Sequence, residues 1–366
     1  MLSDIDDILR ANSAGQLEGN LPMTTMRDVA ARAGVSAKTV SRVLRKDRYV
    51  TDEVRARVLA AVDELQYVPN TLALTFRSGQ DTAIGIAVPD IADPFFGAII
   101  KAVEIQTRRR GVPVIVSSLG YEPHREQEAV ETLLKRQVRG LICCPVAADQ
   151  SYLKPWQHRT PMVFIDRSPL KLTADSVVED DLGGAETMVR HLIEHGHRRI
   201  AFIGDSTRLS TTTLRLQGYH EALERAGLPA DEGLLHLGGI APDHLDEALS
   251  TFRSLRHPPT ALFSSNGRLS MAVLPAVRRM GWSEVALVSF GDFPMAQYLD
   301  PAITVMDQDP DSVGRAAAER LFARIAEPNR RLKRRIVLPV NLVERQSCHL
   351  REPVLPRSGR QARSFG

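Results

Sequence analysis

Residues 26–77 read MRDVAARAGVSAKTVSRVLRKDRYVTDEVRARVLAAVDELQYVPNTLALTFR, and their apolar positions recur with a helical period in three short runs. Thr25 with Asp28 makes a capping-box pair, Ala30 and Ala31 continue the first run, and Gly34 stops it where a left-handed residue is needed. Ser36 caps a second helix running from Ala37 to about Arg45. Thr51 starts a third, with Asp52 and Glu53 in its first turn and Val54, Val58, Val62 and Leu65 along one face. Two helices joined by a short Gly-containing turn describe a helix-turn-helix. After Pro69, Asn70 caps a further stretch, residues 71–77, too short to hold as a helix in water unless something packs on it.

Charge concentrates on the same segment. Between Met23 and Gly79 there are ten Lys and Arg against six Asp and Glu, an excess larger than the +3 of the whole chain. A basic unit fused to a near-neutral body is the arrangement expected when one end meets a polyanion. The 366 residues allow about two or three folded units at ~150 residues each. Apolar content of 43% and charged content of 25% exclude global disorder, collagen and coiled-coil compositions. No apolar run approaches the ~18 residues of a membrane helix, so no membrane partner is expected. Residues 1–22 form a loose polar extension without the pattern of a secretory signal, and Met23 or Met26 serves equally well as a start. Cys143, Cys144 and Cys348 show no metal-type spacing and are expected as reduced core residues of a cytoplasmic protein, with no metal and no cofactor.

From Ala83 onward short β-branched runs alternate with amphipathic helices. Strands are expected at 83–88, 112–117, 140–144, 162–165, 200–203, 261–264 and 286–290, with helices at 96–110, 125–136, 183–195, 214–226, 269–280 and 312–325. Such alternation implies parallel sheets covered on both faces, and the length calls for two Rossmann-like α/β lobes with a cleft between them. The expected organisation is therefore an extension at 1–22, an all-α helix-turn-helix headpiece at 23–69, a hinge helix or linker at 70–80, a two-lobed domain at 81–350 and a disordered tail at 351–366.

The string VAARAGVSAKTVSRVL, the VTDEVR start of the third helix and the YVPN that follows it resemble the DNA-binding headpiece of the lactose/galactose repressor (LacI/GalR) family. The resemblance implies that Ala37, Lys38 and Arg42 reach base edges in the major groove of an operator. Lysine and arginine read guanine, whereas alanine touches at most a thymine methyl, so reading power is expected at Lys38 and Arg42. Thr25, Ser36, Thr39, Ser41 and Tyr67 are placed to meet phosphates, which position the domain without reading sequence. In the family, paired hinge helices enter the minor groove and a leucine wedges a base step. Phe76 stands at that position here, with Asn70 and Ala73 on the same stretch, and interdomain packing is the competing role for Phe76.

Further along, IGIAVPDIADPFFGAI, VFIDRS, HLIEHGHRRIAFIGD, LRLQGY and PPTALFSSNG resemble the family's periplasmic-binding-protein-like effector domain. The resemblance places Phe95, Phe96, Asp166, Arg215 and Asn266 at an effector cleft. Competing roles are core packing for Phe95 and Phe96, interlobe ion pairs for Asp166 and Arg215, and a turn for Asn266. Gly267 and Gly291 stand where the family usually has carboxylates, so an anionic effector held by Arg215, a sugar acid or sugar phosphate, is set beside a neutral sugar. The function implied is a ligand-responsive transcriptional regulator, a repressor acting as a homodimer on a pseudo-palindromic double-stranded DNA operator. The alternative is a carbohydrate-binding protein without regulatory role, which has no use for Lys38 and Arg42. No Gly-rich phosphate fingerprint, P-loop or nucleophile elbow is present, so an enzyme is not expected.

Overall fold

A computed structural model describes residues 24–44, 47–67, 83–238 and 241–349. They divide between two compact units, 1–80 and 81–366. In the first, α1 (Met26–Ala33) is opened by a complete capping box: the Asp28 carboxylate accepts from the Thr25 N–H at 2.7 Å, and the Thr25 side chain accepts from Asp28 N–H. Gly34 closes it at φ +62°, donating its N–H back to Ala30 and Ala31. α2 (Ala37–Leu44) and α3 (Asp52–Glu64) follow. Thr51 occupies the N-cap position of α3 but makes no side-chain cap bond, so the expected cap there reduces to the two acids of the first turn. Val29, Ala33, Val40, Val43, Val58, Ala61 and Tyr67 are buried together between the helices.

The second unit holds two six-stranded sheets. The first has the order β11-β5-β4-β3-β1-β2 and is parallel throughout. Its strands are β1 (Ile84–Val88), β2 (Val114–Ser118), β3 (Gly140–Cys143), β4 (Met162–Ile165), β5 (Asp175–Glu179) and β11 (Arg335–Leu338). The second runs β12-β10-β9-β8-β6-β7, with only β12 antiparallel. It is built from β6 (Ile200–Ile203), β7 (Leu235–His236), β8 (Ala261–Ser264), β9 (Ala286–Phe290), β10 (Thr304–Asp307) and β12 (Asn341–Val343). Strands such as β1, β3, β4 and β9 are buried end to end because both sheet faces are covered.

The helices are α4 (Pro94–Arg108), α5 (Pro123–Lys135), α6 (Asp181–Glu194), α7 (Ser210–Arg225), α8 (Pro242–Ser254), α9 (Gly267–Arg279) and α10 (Pro310–Ala326). α4, α5 and α10 begin two residues before the positions expected from periodicity, each with proline in its first turn. Proline there gives up an N–H that has no helical partner anyway, and its fixed φ suits the first turn. The chain passes between the lobes three times: from β5 into α6, from β10 into α10, and from β11 to β12. Strands β5, β7, β10, β11 and β12, and helix α8, were not among the expected elements.

The two helices that follow the first crossing touch through a glycine. A Cβ built on Gly218 in α7 meets the Leu182 carbonyl oxygen at 2.3 Å and the Glu186 backbone nitrogen at 2.9 Å in α6. Backbone cannot swing aside as a side chain can, so Gly218→Ala forces the helices apart, at a cost of about 1–3 kcal/mol. A fall of several degrees in Tm on thermal denaturation is expected; an unchanged Tm would show that the helices are not so close.

Candidate functional site

The headpiece presents one helix face with two cations. Lys38 and Arg42 are one turn apart on α2 and so share a face. Lys38 is exposed and has no ion-pair partner among the described residues, whereas Arg42 donates from Nε to Asp47 at 2.9 Å and is half-exposed. The Asp47 carboxyl is held below the usual range by the Tyr49 N–H first and by Arg42 second. Ser36 caps α2 by accepting from the Thr39 N–H at 3.1 Å, and the two hydroxyls lie 2.9 Å apart. Thr25 is spent on its capping box. Ser41 and Tyr67 are buried at 5% and 8% exposure, as packing groups of the headpiece rather than open surface. Arg48 and Tyr49, not singled out from sequence, form an exposed pair, the Arg48 guanidinium 4.8 Å from the ring centroid. Asn70, Ala73 and Phe76 lie outside the described residues.

In the second unit a cleft of about 610 Å³, partly open to solvent, lies between the lobes. Phe95, Phe96, Asp166, Arg215 and Asn266 all line it, though they come from sequence positions far apart. Phe96 is a core residue that shows one edge to the cleft, and Phe95 meets it edge-on with centroids 5.2 Å apart. Tyr121 and Phe293 add aromatic surface. Asp166 sits at φ +62°, in the left-handed region, and accepts from Arg167 Nε at 2.8 Å and from the Cys144 thiol at 3.5 Å. Neither Asp166 nor Arg215 bridges the lobes by an ion pair. Arg215 is 4% exposed, paired with Asp181 at 2.7 Å, donating to the Ser265 carbonyl at 2.6 Å and lying 3.9 Å over the Phe290 ring.

Asn266 is the N-cap of α9. Its Oδ1 accepts from the Leu269 N–H at 2.9 Å, and its amide donates to Asp205 at 2.8 Å. Asp205 also accepts from Arg268 at 2.6 Å, whose guanidinium lies 4.4 Å over the Tyr121 ring. The arginines lining the cleft thus come as matched pairs, Arg167 with Asp166, Arg215 with Asp181 and Arg268 with Asp205, while Asp93 accepts from the Phe95 N–H. The expectation of an anionic effector rested on the loss of a cleft carboxylate at Gly291, with Arg215 as the contact; in the structure Arg215 is paired with Asp181, and Asp93, Asp166, Asp205 and Asp292 line the cleft. Gly291 is at φ +93°, and a Cβ there meets the Gln308 Oε1 at 2.7 Å, so the space of the absent side chain is occupied by a neutral amide.

Two crossings carry the deepest polar groups. Gln308, after β10, donates to Glu179, at the end of β5, at 3.4 Å. Burial pushes the Glu179 carboxyl well above its ordinary value, reinforced by Asp166 and Asp181, and its Oε2 has no hydrogen-bond partner among the described residues. Burial also raises Asp181 to about 6, against the opposing pull of Arg215.

A family model described as bacterial regulatory proteins, lacI family, matches residues 25–70, and one described as a periplasmic binding protein-like domain matches 189–348. Over 333 residues the chain is 31% identical to the ribose operon repressor of Escherichia coli (strain K12), covering 89% of this chain and 100% of that one. The chain belongs to the lacI family. The HTH-type transcriptional regulator DegA of Bacillus subtilis (strain 168) is 30% identical over 332 residues, 88% of this chain and 98% of its own. A lac repressor dimer bound to operator and the anti-inducer ONPF aligns with a TM-score of 0.76 at 26% identity, over 89% of this chain and 99% of that chain.

Within this lacI-family cleft, Tyr121, Asp205, Arg268, Phe293 and Gln308 were missed from sequence. Asp205 and Arg268 are 63 residues apart, and nothing local announces their pairing. The capping pattern before α9 was the one available signal at Asn266.

Glu179 sets a pH dependence. A raised folded-state value means that the native chain holds a proton the unfolded chain has released, so the stability it contributes is present at low pH and lost as pH rises past the ordinary glutamate value. Glu179→Gln removes that loss. As pH rises above the ordinary glutamate range the wild type is expected to lose stability relative to the variant, by up to ~1.4 kcal/mol per pH unit, measured by denaturant unfolding. Parallel profiles would mean that Glu179 is ionised in the fold.

Proposed function

We propose that this chain is a transcriptional repressor whose grip on a double-stranded DNA operator responds to a small neutral sugar held between the lobes of its second unit. The observation that carries the reading is the pairing, in one lacI-family chain, of a Lys38–Arg42 helix face with a cleft in which each lining arginine is already paired with a carboxylate. Phosphate contacts supply affinity without sequence, and Lys38 and Arg42 supply the reading of base edges. Domain limits of 23–69 for the headpiece, 70–80 for the hinge and 81–350 for the effector unit fit this division of labour. A homodimer presents two such helices to the halves of a pseudo-palindrome.

The cleft supports a polyhydroxylated, uncharged ligand. Aromatic side chains at Phe95, Tyr121 and Phe293 offer faces and edges to the C–H surface of a sugar ring, while Asp166, Asp205 and Arg268 are fixed in orientation by one another and by their neighbours. Groups held in place beforehand lose little entropy on binding. The reading is of a binding protein rather than an enzyme, acting in the cytoplasm at the nucleoid. Among the described residues no helix is long and apolar enough to cross a membrane. Any coupling is reciprocal: whatever the sugar does to operator affinity, the operator does to sugar affinity.

Lys38→Ala is expected to cost about 1–3 kcal/mol on the cognate operator and to relax preference at one base pair, read by competition binding against a panel of point-substituted sites. An equal loss on random DNA would assign Lys38 to phosphate instead. Neutral pentoses and hexoses are expected to raise Tm, by mass action on the folded state, more than their phosphates or acids do. The reverse order would return the cleft to an anionic ligand.

A further inference from the structure

A second cluster lies in the other direction along α6. His191 and His195 stand one turn apart near its C-terminal end, Glu344 directly follows β12, and Cys348 closes the short 3-10 turn Gln346–Cys348. One ligand-capable atom from each of the four lies within 4.8 Å of all the others. Two histidines four residues apart on one helix face are a common metal-chelating spacing.

An independent observation singles this cluster out. His191 is 6% exposed, and its Nε2 is buried without a hydrogen-bond partner among the described residues. Buried ring nitrogens are ordinarily satisfied, so an orphan in the middle of three other donor groups calls for a partner. The surroundings also orient the donors. His195 Nδ1 is 2.9 Å from the His191 carbonyl oxygen, which fixes that nitrogen as the proton carrier and turns Nε2 toward Glu344, 3.4 Å away. The Cys348 carbonyl accepts from His197 Nε2 at 3.0 Å, and His197 Nδ1 in turn meets the Thr260 hydroxyl at 2.8 Å. Second contacts of this kind are what hold metal ligands in register.

We propose that His191, His195, Glu344 and Cys348 form a structural zinc(II) site that clips the end of α6 to the segment following β12. Two nitrogens, one oxygen and one sulfur make a borderline-soft set that suits zinc and rejects magnesium and calcium, which take oxygen ligands. Four protein ligands leave no open position, which makes the site structural rather than catalytic. Cys348 binds as the thiolate: its Sγ–H bond breaks, the sulfur lone pair forms the bond to zinc, and the proton leaves to solvent. Its present donation to the Arg345 carbonyl at 3.3 Å is exchanged for that bond. Entry is open from the side of Glu344, whose side chain is 52% exposed. Spacing along the sequence gave no metal signature because the ligands come from two stretches separated by about half the domain.

The test uses the full-length chain after chelator treatment, titrated with zinc by calorimetry and with cobalt(II) by absorption. One zinc per chain is expected, with a thiolate-to-cobalt charge-transfer band in the near ultraviolet. His195→Ala and Cys348→Ser are each expected to weaken zinc binding by at least ~10-fold, the lower end of what even indirect contacts to a metal are worth. Cys348→Ser also abolishes the charge-transfer band, and His124→Ala, on α5 of the other lobe, changes nothing. Absence of stoichiometric zinc binding, or binding that both ligand variants leave intact, overturns the proposal. Should the variants misfold, a wild-type cobalt spectrum lacking the charge-transfer band overturns it on its own.

Discussion

The arrangement of the larger unit depends on a topological constraint: its chain crosses from one sheet to the other three times, leaving in turn from β5, β10 and β11. β5 and β11 are neighbours in one sheet, and β10 and β12 in the other. The first two crossings place polar residues where the lobes meet, Glu179 and Asp181 on one and Gln308 on the other. The Glu179–Gln308 contact joins the first crossing to the second, and the Asp181–Arg215 pair anchors the first to α7. Buried charge is costly unless matched, which is why each arginine lining the cleft has a carboxylate beside it.

The headpiece was legible in the sequence because its determinants are local. A capping box spans four residues and a left-handed glycine one, so Thr25, Asp28 and Gly34 announce the helix they bound without reference to anything distant. The same locality explains where the reading stopped short. Ser41 and Tyr67 match a pattern of surface donors, yet three packed helices bury them, and only the tertiary arrangement reveals that.

In the larger unit, strands buried on both faces and flanked by helices stood out, while β5, β10 and β11 did not. β5 carries an acid at each end, and β11 alternates exposed with half-buried positions, so neither presents the apolar run of an interior strand. The cleft followed the same rule. Residues within recognisable strings, such as Phe95, Asp166 and Asn266, were found, while Arg268 and Gln308 owe their place to partners 63 and 129 residues away. Nor does sequence spacing announce the partner of Arg215, since Asp181 lies 34 positions earlier on another helix.

The matched pairs of the cleft separate it from the headpiece in how each feels dissolved ions. Lys38 stands in solvent, where small ions screen it within roughly a Debye length. Asp181 and Arg215 are 3% and 5% exposed at their side chains and beyond the reach of that screening. Raising ionic strength therefore loosens one end of the molecule while the other keeps its chemistry, and the two halves of the coupling become separately adjustable by nothing more than salt.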